Sequence, residues 1–320
     1  MSDGPFASHF PTFQVIWDST SLSWLKECSR KYAFKMLHGW DSPRKGIHLM
    51  FGGLYASGVE QYAHARARGE DHPTATRTMV RWVLENSGER NADGEWLAWN
   101  PALDPDGTPN PDANIKNRWT LVRSLVWNVE DRQGSPFQTY IMANGKPAVE
   151  LTFKFAAYEI GGEEIMLAGH LDEVVRGPEG IYVKDDKTTK GALNAQYFQQ
   201  YSPNNQMSLY SIAGRTILNE PVQGVLVRAA QIGVNFARFQ TMLVPRPKAV
   251  LDEWLRETGM WIRQAYDYAQ QDYWPANDKS CFWCEFKKVC SVSPNHREAW
   301  LREDFVKREW NPAQARGLAE

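Results

Sequence analysis

No run of about 18 apolar residues, the length a membrane helix needs, occurs anywhere in the 320-residue sequence. Nor do Met1 to Ser8 show a basic segment followed by an apolar stretch, so the expectation is a soluble intracellular protein with no membrane partner. Neither sign of charge dominates. Lys and Arg number 36 against 38 Asp and Glu, a net charge of −2, so the chain as a whole is not a basic nucleic-acid clamp. Phosphate binding, if present, must come from a local basic groove. Cysteine is scarce at four residues, and without a secretory segment a disulfide framework is not expected. There is no G-x-x-x-x-G-K-[ST], since Gly145-Lys146 runs into Pro147, so the chain carries no P-loop motor. Internal repeats and low-complexity linkers are also missing.

What is present is a chain long enough for one large core, rich in tryptophan at 14 residues. Most of these sit among other apolar residues, as Trp254, Leu255, Trp261 and Ile262 do, and read mainly as core. Residues 20–38 read as a helix with Ser21 as N-cap and Leu22, Leu25, Tyr32, Ala33 and Met36 along one stripe. Residues 50–87 and 117–132 read as helical, and 103–114 as a loop from their density of Pro, Asp, Asn and Gly. Asp104-x-Asp106-Gly107 fails as a calcium loop, because its glycine comes too early and Ile115 stands where a bidentate Glu is needed.

From residue 147 the period changes to two. Val149, Leu151, Phe153 and Phe155 alternate with Glu150, Thr152 and Lys154, and strands follow at Ile165 to Ala168 and Ile181 to Asp186. Ser202-Pro203 predicts the start of a helix through Gln206, Leu209, Tyr210 and Ile217. Val225 to Ile232 and Phe239 to Val244 read as strands, and 248–271 as a long amphipathic helix. The order predicts an α/β fold with a mixed sheet.

Two short stretches carry the chemistry: Gly169-His170-Leu171-Asp172-Glu173-Val174 and Lys184-Asp185-Asp186-Lys187-Thr188. On a strand, side chains two apart share a face, so Asp185 and Lys187 point into one space and Asp186 to the other side. Ile181 and Val183 share the face of Asp185 and Lys187, so the strand runs from core into a polar pocket. Gln206 and Tyr210, at i and i+4, share a face of the next helix. Carboxylates beside a lysine suit a divalent metal next to a phosphate.

Those motifs, in that order and spacing, resemble the PD-(D/E)XK nuclease superfamily, and within it the RecB-type branch that includes CRISPR-adaptation and stand-alone phage nucleases. The motifs run from Gly169 to Tyr210, and the flanking elements resemble that branch over about residues 19–290. The resemblance implies a restriction-endonuclease-like central mixed β-sheet flanked by helices. It implies Asp172 and Asp185 as ligands of Mg²⁺ or Mn²⁺, with the main-chain carbonyl of Asp186 as a further ligand. Lys187 would orient or activate water and stabilise phosphoryl charge, and Gln206 and Tyr210 would position that lysine or the DNA backbone. Glu150 matches a position that often carries Glu. One departure stands out: in the pattern Phe-Gly-x-x-x-His-x-x-x-Glu, Phe51-Gly52 is followed by Ala56 where the His belongs, then by Glu60. His48 and His64, nearby in sequence, are expected at the surface.

Cys281-x₂-Cys284-x₅-Cys290 near the end of the chain and Cys28 on the first helix suggest a four-thiolate metal site tying distant segments together. Coordination rules alone allow Zn²⁺ or an iron–sulfur cluster. Ser21-x-Ser23-x₄-Cys28-x-Arg30-Lys31-Tyr32, with the later trio, is similar to the [4Fe–4S] staple of CRISPR-adaptation and AddB-type nucleases. The resemblance thus implies a structural [4Fe–4S] cluster on Cys28, Cys281, Cys284 and Cys290, with Zn²⁺ as the alternative. Arg30, Lys31, Lys287 and Lys288 would lie within reach of phosphates beside it.

The implied whole is one nuclease domain over 1–320: a mainly helical part at 19–145, the PD-(D/E)XK core at 146–245, a C-terminal helix and cluster segment at 246–295, and a tail at 296–320. The implied activity is metal-dependent hydrolysis of DNA with single-stranded or free ends. The setting would be recombination, repair or CRISPR adaptation, in the cytoplasm, or the host cytoplasm for a phage-encoded chain. Two alternatives remain: a catalytically reduced DNA-binding scaffold of the same fold, favoured by Ala56, and a nuclease subunit of a CRISPR adaptation complex.

Overall fold

The computed structural model describes residues 4–7, 13–43, 46–90, 93–103, 108–218, 220–312 and 314. In chain order its first elements are β1 (Ile16–Trp17), α1 (Ser19–Glu27), α2 (Ser29–Tyr32), β2 (Trp40–Asp41), α3 (Ile47–Ala67) and α4 (His72–Asn86). Next come β3 (Gly88–Arg90), β4 (Trp96–Ala98), α5 (Arg118–Gln133), β5 (Gln138–Thr139), β6 (Val149–Ile160), β7 (Glu163–Gly177) and β8 (Gly180–Thr189). The last are α6 (Ala195–Gln199), α7 (Asn205–Leu218), β9 (Val222–Ile232), β10 (Ala237–Val244), α8 (Lys248–Gln270), α9 (Lys287–Ser291), α10 (Arg297–Asp304) and β11 (Val306–Lys307). The predicted α/β class with a mixed sheet flanked by helices is the class observed.

Boundaries differ from the sequence reading where side chains compete for the backbone. The first helix is capped by Asp18, whose Oδ1 accepts from Ser21 N at 2.8 Å, and Ser21 is the third residue of a reciprocal capping box. The helix predicted to 38 breaks at Cys28, which is extended at φ −164°, ψ 117°. The region predicted as 50–87 is two helices, with Asp71 capping the second through Thr74 N. The helix predicted from Ser202-Pro203 begins at Asn205, where Asn204 Oδ1 accepts from Gln206 N at 2.9 Å. In the loop at 103–114, residues 104–107 lie outside the described residues, and with them the rejected calcium motif.

The chain forms two compact units. One comprises residues 45–151 and 171–246. Its sheet pairs β7 (from Leu171) antiparallel to β8, β8 parallel to β9, and β9 antiparallel to β10. β9 is buried along almost its whole length, as an internal strand should be, while β10 alternates and forms an edge. One face carries α3, α4 and α5, whose Phe51, Tyr55, Met79, Val83, Leu121 and Leu125 form a core that reaches Ala230 and Ile232 of β9. The other face carries α7. A Cβ at Gly214 would stand 2.8 Å from Val183 Cγ2, so only glycine lets this helix lie so close to β8.

The second unit comprises residues 1–44, 152–170 and 247–320. Here β1 runs parallel to β7 through Ile16↔Met166 and Trp17↔Leu167. Helix α8 buries Leu251, Trp254, Thr258, Ile262, Ala265 and Ala269, a spacing of three and four that keeps one stripe inward. Tyr158 of β6 donates to Leu255 O at 2.7 Å, fixing that strand to the helix. Near the end of the chain Phe286, Val289 and Leu301 form a small core with Phe34, Trp40 and Phe305. The break at Cys28 has a local reason. It frees the Glu27 carbonyl, which accepts from Asn277 Nδ2 and Ser280 Oγ, both at 2.8 Å.

Candidate active site

Alternation along β8 places Asp185 and Lys187 on the α7 face and Lys184 and Asp186 on the opposite face. Across the ladder Glu173 pairs with Lys184, so the neighbouring Asp172 falls on the side of Asp185. The five candidate residues form one chain of hydrogen bonds. Lys187 Nζ donates to Asp185 Oδ1 at 2.9 Å and to Gln206 Oε1 at 3.0 Å. Gln206 Nε2 donates to Tyr210 OH at 3.0 Å, and Tyr210 OH donates to Asp172 Oδ1 at 3.1 Å. Lysine and tyrosine thereby hold the two carboxylates from one helix and one strand.

The electrostatics are uneven. Burial pushes Asp172 well above the ordinary carboxylate range, and the charge of Asp185 pushes it further; Lys187 offsets only part of this. For Lys187, burial opposes the charge, but Asp185 and then Asp172 outweigh it and hold the ammonium above its usual pKa. Two carboxylates sharing one ammonium leave an excess of negative charge. Asp185 is fully buried, and its Oδ2 lies 2.8 Å from Lys187 Nζ without a hydrogen-bond partner. A hard divalent cation fits such an all-oxygen donor set.

Glu150 lies in the left-handed region at φ +49°, uncommon for a side chain of this kind, and its charge bears on Asp172. It lines one pocket with Asp172, Glu173, Asp186, Ala56 and Glu60. Ala56, at the expected histidine position, therefore does line this pocket but supplies no ligand. His48 is exposed and paired with Asp112 at 3.0 Å, and His64 pairs with Glu60 at 3.6 Å.

Sequence reasoning missed two further features. On the face of the sheet opposite Asp185, Glu173 Oε1 accepts from Arg132 Nη2 at 2.7 Å and from Thr139 Oγ1 at 2.6 Å. Lys184 Nζ donates to Glu173 Oε2 at 2.7 Å and also to Asp186. Burial alone would raise Glu173, but Arg132 and then Lys184 outweigh it and hold its carboxyl far below the usual range. The second feature is a tyrosine pair, Tyr197 and Tyr201, with hydroxyls 3.1 Å apart. Tyr197 interacts electrostatically with Lys187, and Tyr201 with Asp185. Their i, i+4 spacing, the same as that of Gln206 and Tyr210, was the available signal.

In the other unit, Cys28, Cys281, Cys284 and Cys290 line a single cavity, all as free thiols. Asn277 N donates to Cys28 Sγ at 3.3 Å. Burial raises Cys284 and Cys290, while Lys31 and Arg30 respectively work against it. Among the described residues, no three His, Cys, Asp or Glu side chains are drawn together as a site for a metal ion. Nor is any helix among them long and apolar enough to cross a membrane.

A strand-borne carboxylate and lysine, a second carboxylate on the neighbouring strand and two polar side chains of one helix thus form a single hydrogen-bonded cluster. The chain belongs to the PD-(D/E)XK nuclease superfamily, whose family model matches residues 19–291. Comparison with curated proteins gives no match. Among solved structures, the chain is similar to a candidate exonuclease from Eubacterium rectale, at 11% identity and a TM-score of 0.45, covering 92% of this chain and 94% of that one. It is also similar to the protein SSO0001, at 14% identity and a TM-score of 0.30, covering 54% and 69%. Neither likeness bears on substrate.

Proposed function

We propose that this nuclease is a metal-dependent deoxyribonuclease acting as an exonuclease on single-stranded or end-bearing DNA. The observation that carries the reading is the unbroken hydrogen-bond chain from Asp185 through Lys187, Gln206 and Tyr210 to Asp172. Asp172 and Asp185, with the main-chain carbonyl of Asp186, would hold Mg²⁺ or Mn²⁺, which supplies charge neutralisation at the phosphate. Lys187, kept protonated by its carboxylate neighbours, presents positive charge to the phosphoryl oxygens as water adds to phosphorus and the sugar oxygen departs. Gln206 accepts from that ammonium and so fixes its direction. Tyr210 orients Asp172 in the same way.

The four cysteines are read as ligands of a structural [4Fe–4S] cluster, with Zn²⁺ as the alternative. Their shared cavity, the amide donated to Cys28 and the basic Arg30 and Lys31 beside the thiols support a thiolate-bound centre. Ala56 favours a second reading, a DNA-binding scaffold with reduced catalysis.

Anaerobically purified protein, incubated with labelled linear single- and double-stranded DNA and Mg²⁺ or Mn²⁺, decides between the two readings. Cleavage by wild type and not by Lys187→Ala or Asp185→Ala is expected; equal behaviour of all three under every metal would leave the scaffold. Iron and zinc analysis with the visible spectrum decides the centre, brown colour with broad absorption being the expected result and colourless protein with stoichiometric zinc the contrary one.

A further inference from the structure

The segment between Cys281 and Cys284 turns its two inner residues outward. Phe282 is 70% exposed and Trp283 90%, the highest value among the large apolar side chains described. Their rings meet edge to face, with centroids 4.7 Å apart and planes at 89°. Exposure of two large rings forfeits a substantial hydrophobic gain. A buried alternative exists only a few residues on, where Phe286 and Val289 are fully enclosed. The segment is also well held: Cys284 N donates to Cys281 O at 3.3 Å, and Ser280 is tied to Glu27. The rings are therefore presented by a fixed turn rather than left over from a loose one.

The surrounding charge narrows what could cover them. Lys287 Nζ lies over the Phe282 ring, 5.6 Å from its centroid, and Lys279 and Lys288 are exposed nearby in sequence. Glu285, an acidic residue of the same turn, is engaged by Lys35 at 2.9 Å. The open Trp283 indole, with Phe282 and its overlying ammonium beside it, matches the two chemistries of unpaired nucleic acid, flat bases and phosphates.

We propose that Phe282 and Trp283 form a stacking platform for unpaired bases, with Lys279, Lys287 and Lys288 meeting the phosphates of the same strand. The proposal rests on the reading of the chain as a nuclease of single-stranded DNA, and it supplies that reading with a site that selects unpaired over paired DNA. Bases in a duplex are already stacked and offer these rings no free face.

The test is fluorescence anisotropy of the intact protein, without divalent ions, against a labelled oligothymidylate and an abasic strand of equal length. Trp283→Ala is expected to weaken oligothymidylate binding about 5- to 100-fold, with Trp283→Phe restoring most of it. The abasic strand should bind weakly and respond little to Trp283→Ala. Thermal unfolding checks that the variants fold, as substitution at so exposed a side chain allows. Wild-type affinity in Trp283→Ala, an equal loss on the abasic strand, or no binding by wild type overturns the platform. So does a sedimenting dimer that Trp283→Ala abolishes, which would make the rings a self-association surface. Hydrolysis of bis(p-nitrophenyl) phosphate by wild type, a substrate without bases, tests the nuclease reading separately: its absence would sink that reading and leave the binding result intact.

Discussion

Lys187 and Asp185 form a 2.8 Å ion pair in which the carboxylate is fully buried while the lysine side chain keeps 28% of its surface exposed. The ammonium is thus the more open end of the pair.

Lys187→Ala should lower cleavage of DNA about 10²- to 10³-fold, the scale of losing one aligned electrostatic donor. It also removes the charge that offsets Asp172 and Asp185, so Mg²⁺ or Mn²⁺ should bind the variant more tightly in calorimetry. Weaker metal binding would show that Lys187 does not compete with the cation.

Asp172→Asn should raise the midpoint of thermal unfolding in the absence of divalent ions while abolishing cleavage. Burial and Asp185 push Asp172 above its ordinary pKa. The folded chain therefore holds this proton to higher pH than the unfolded chain does, and stability falls as pH rises from the usual carboxylate range towards the raised value. At neutral pH a neutral side chain of the same shape relieves that cost. An unchanged or lower midpoint would contradict the assignment.

Glu173 has the opposite sign. Its folded pKa is depressed, so its contribution is complete above the ordinary glutamate range and drains away as pH falls towards the depressed value. Glu173→Gln should flatten the acid limb of a stability–pH curve. At neutral pH it should cost about 3–5 kcal/mol, because Arg132 and Lys184 then lose their buried partner. Denaturant titrations across the acid range measure both effects.

Ala56→His should place an imidazole in the pocket shared by Asp172 and Glu150. The expected outcome is tighter Mn²⁺ binding, with a smaller gain for Mg²⁺, since an imidazole nitrogen suits the softer ion better. Equal affinities in the variant and wild type would mean that this wall of the pocket is too far from the ion to matter.

Much of the candidate site was legible because its geometry is local. A period of two separates Asp185 and Lys187 from Asp186, and a spacing of four aligns Gln206 with Tyr210; both follow from backbone repeat alone. The same local logic failed at Ser21 and at Ser202-Pro203. At each, a neighbouring side chain, Asp18 or Asn204, competes better for the free amides of the helix start.

By itself the sequence determined the class of fold, the superfamily and the residue types offered to each face. Tertiary structure alone decided that Arg132 meets Glu173, that Glu150 is held at positive φ, and that four cysteines from both ends of the chain line one cavity. The physical reason is separation along the chain. Contacts between residues 41 or more than 200 positions apart depend on how whole elements pack, and no local period encodes that.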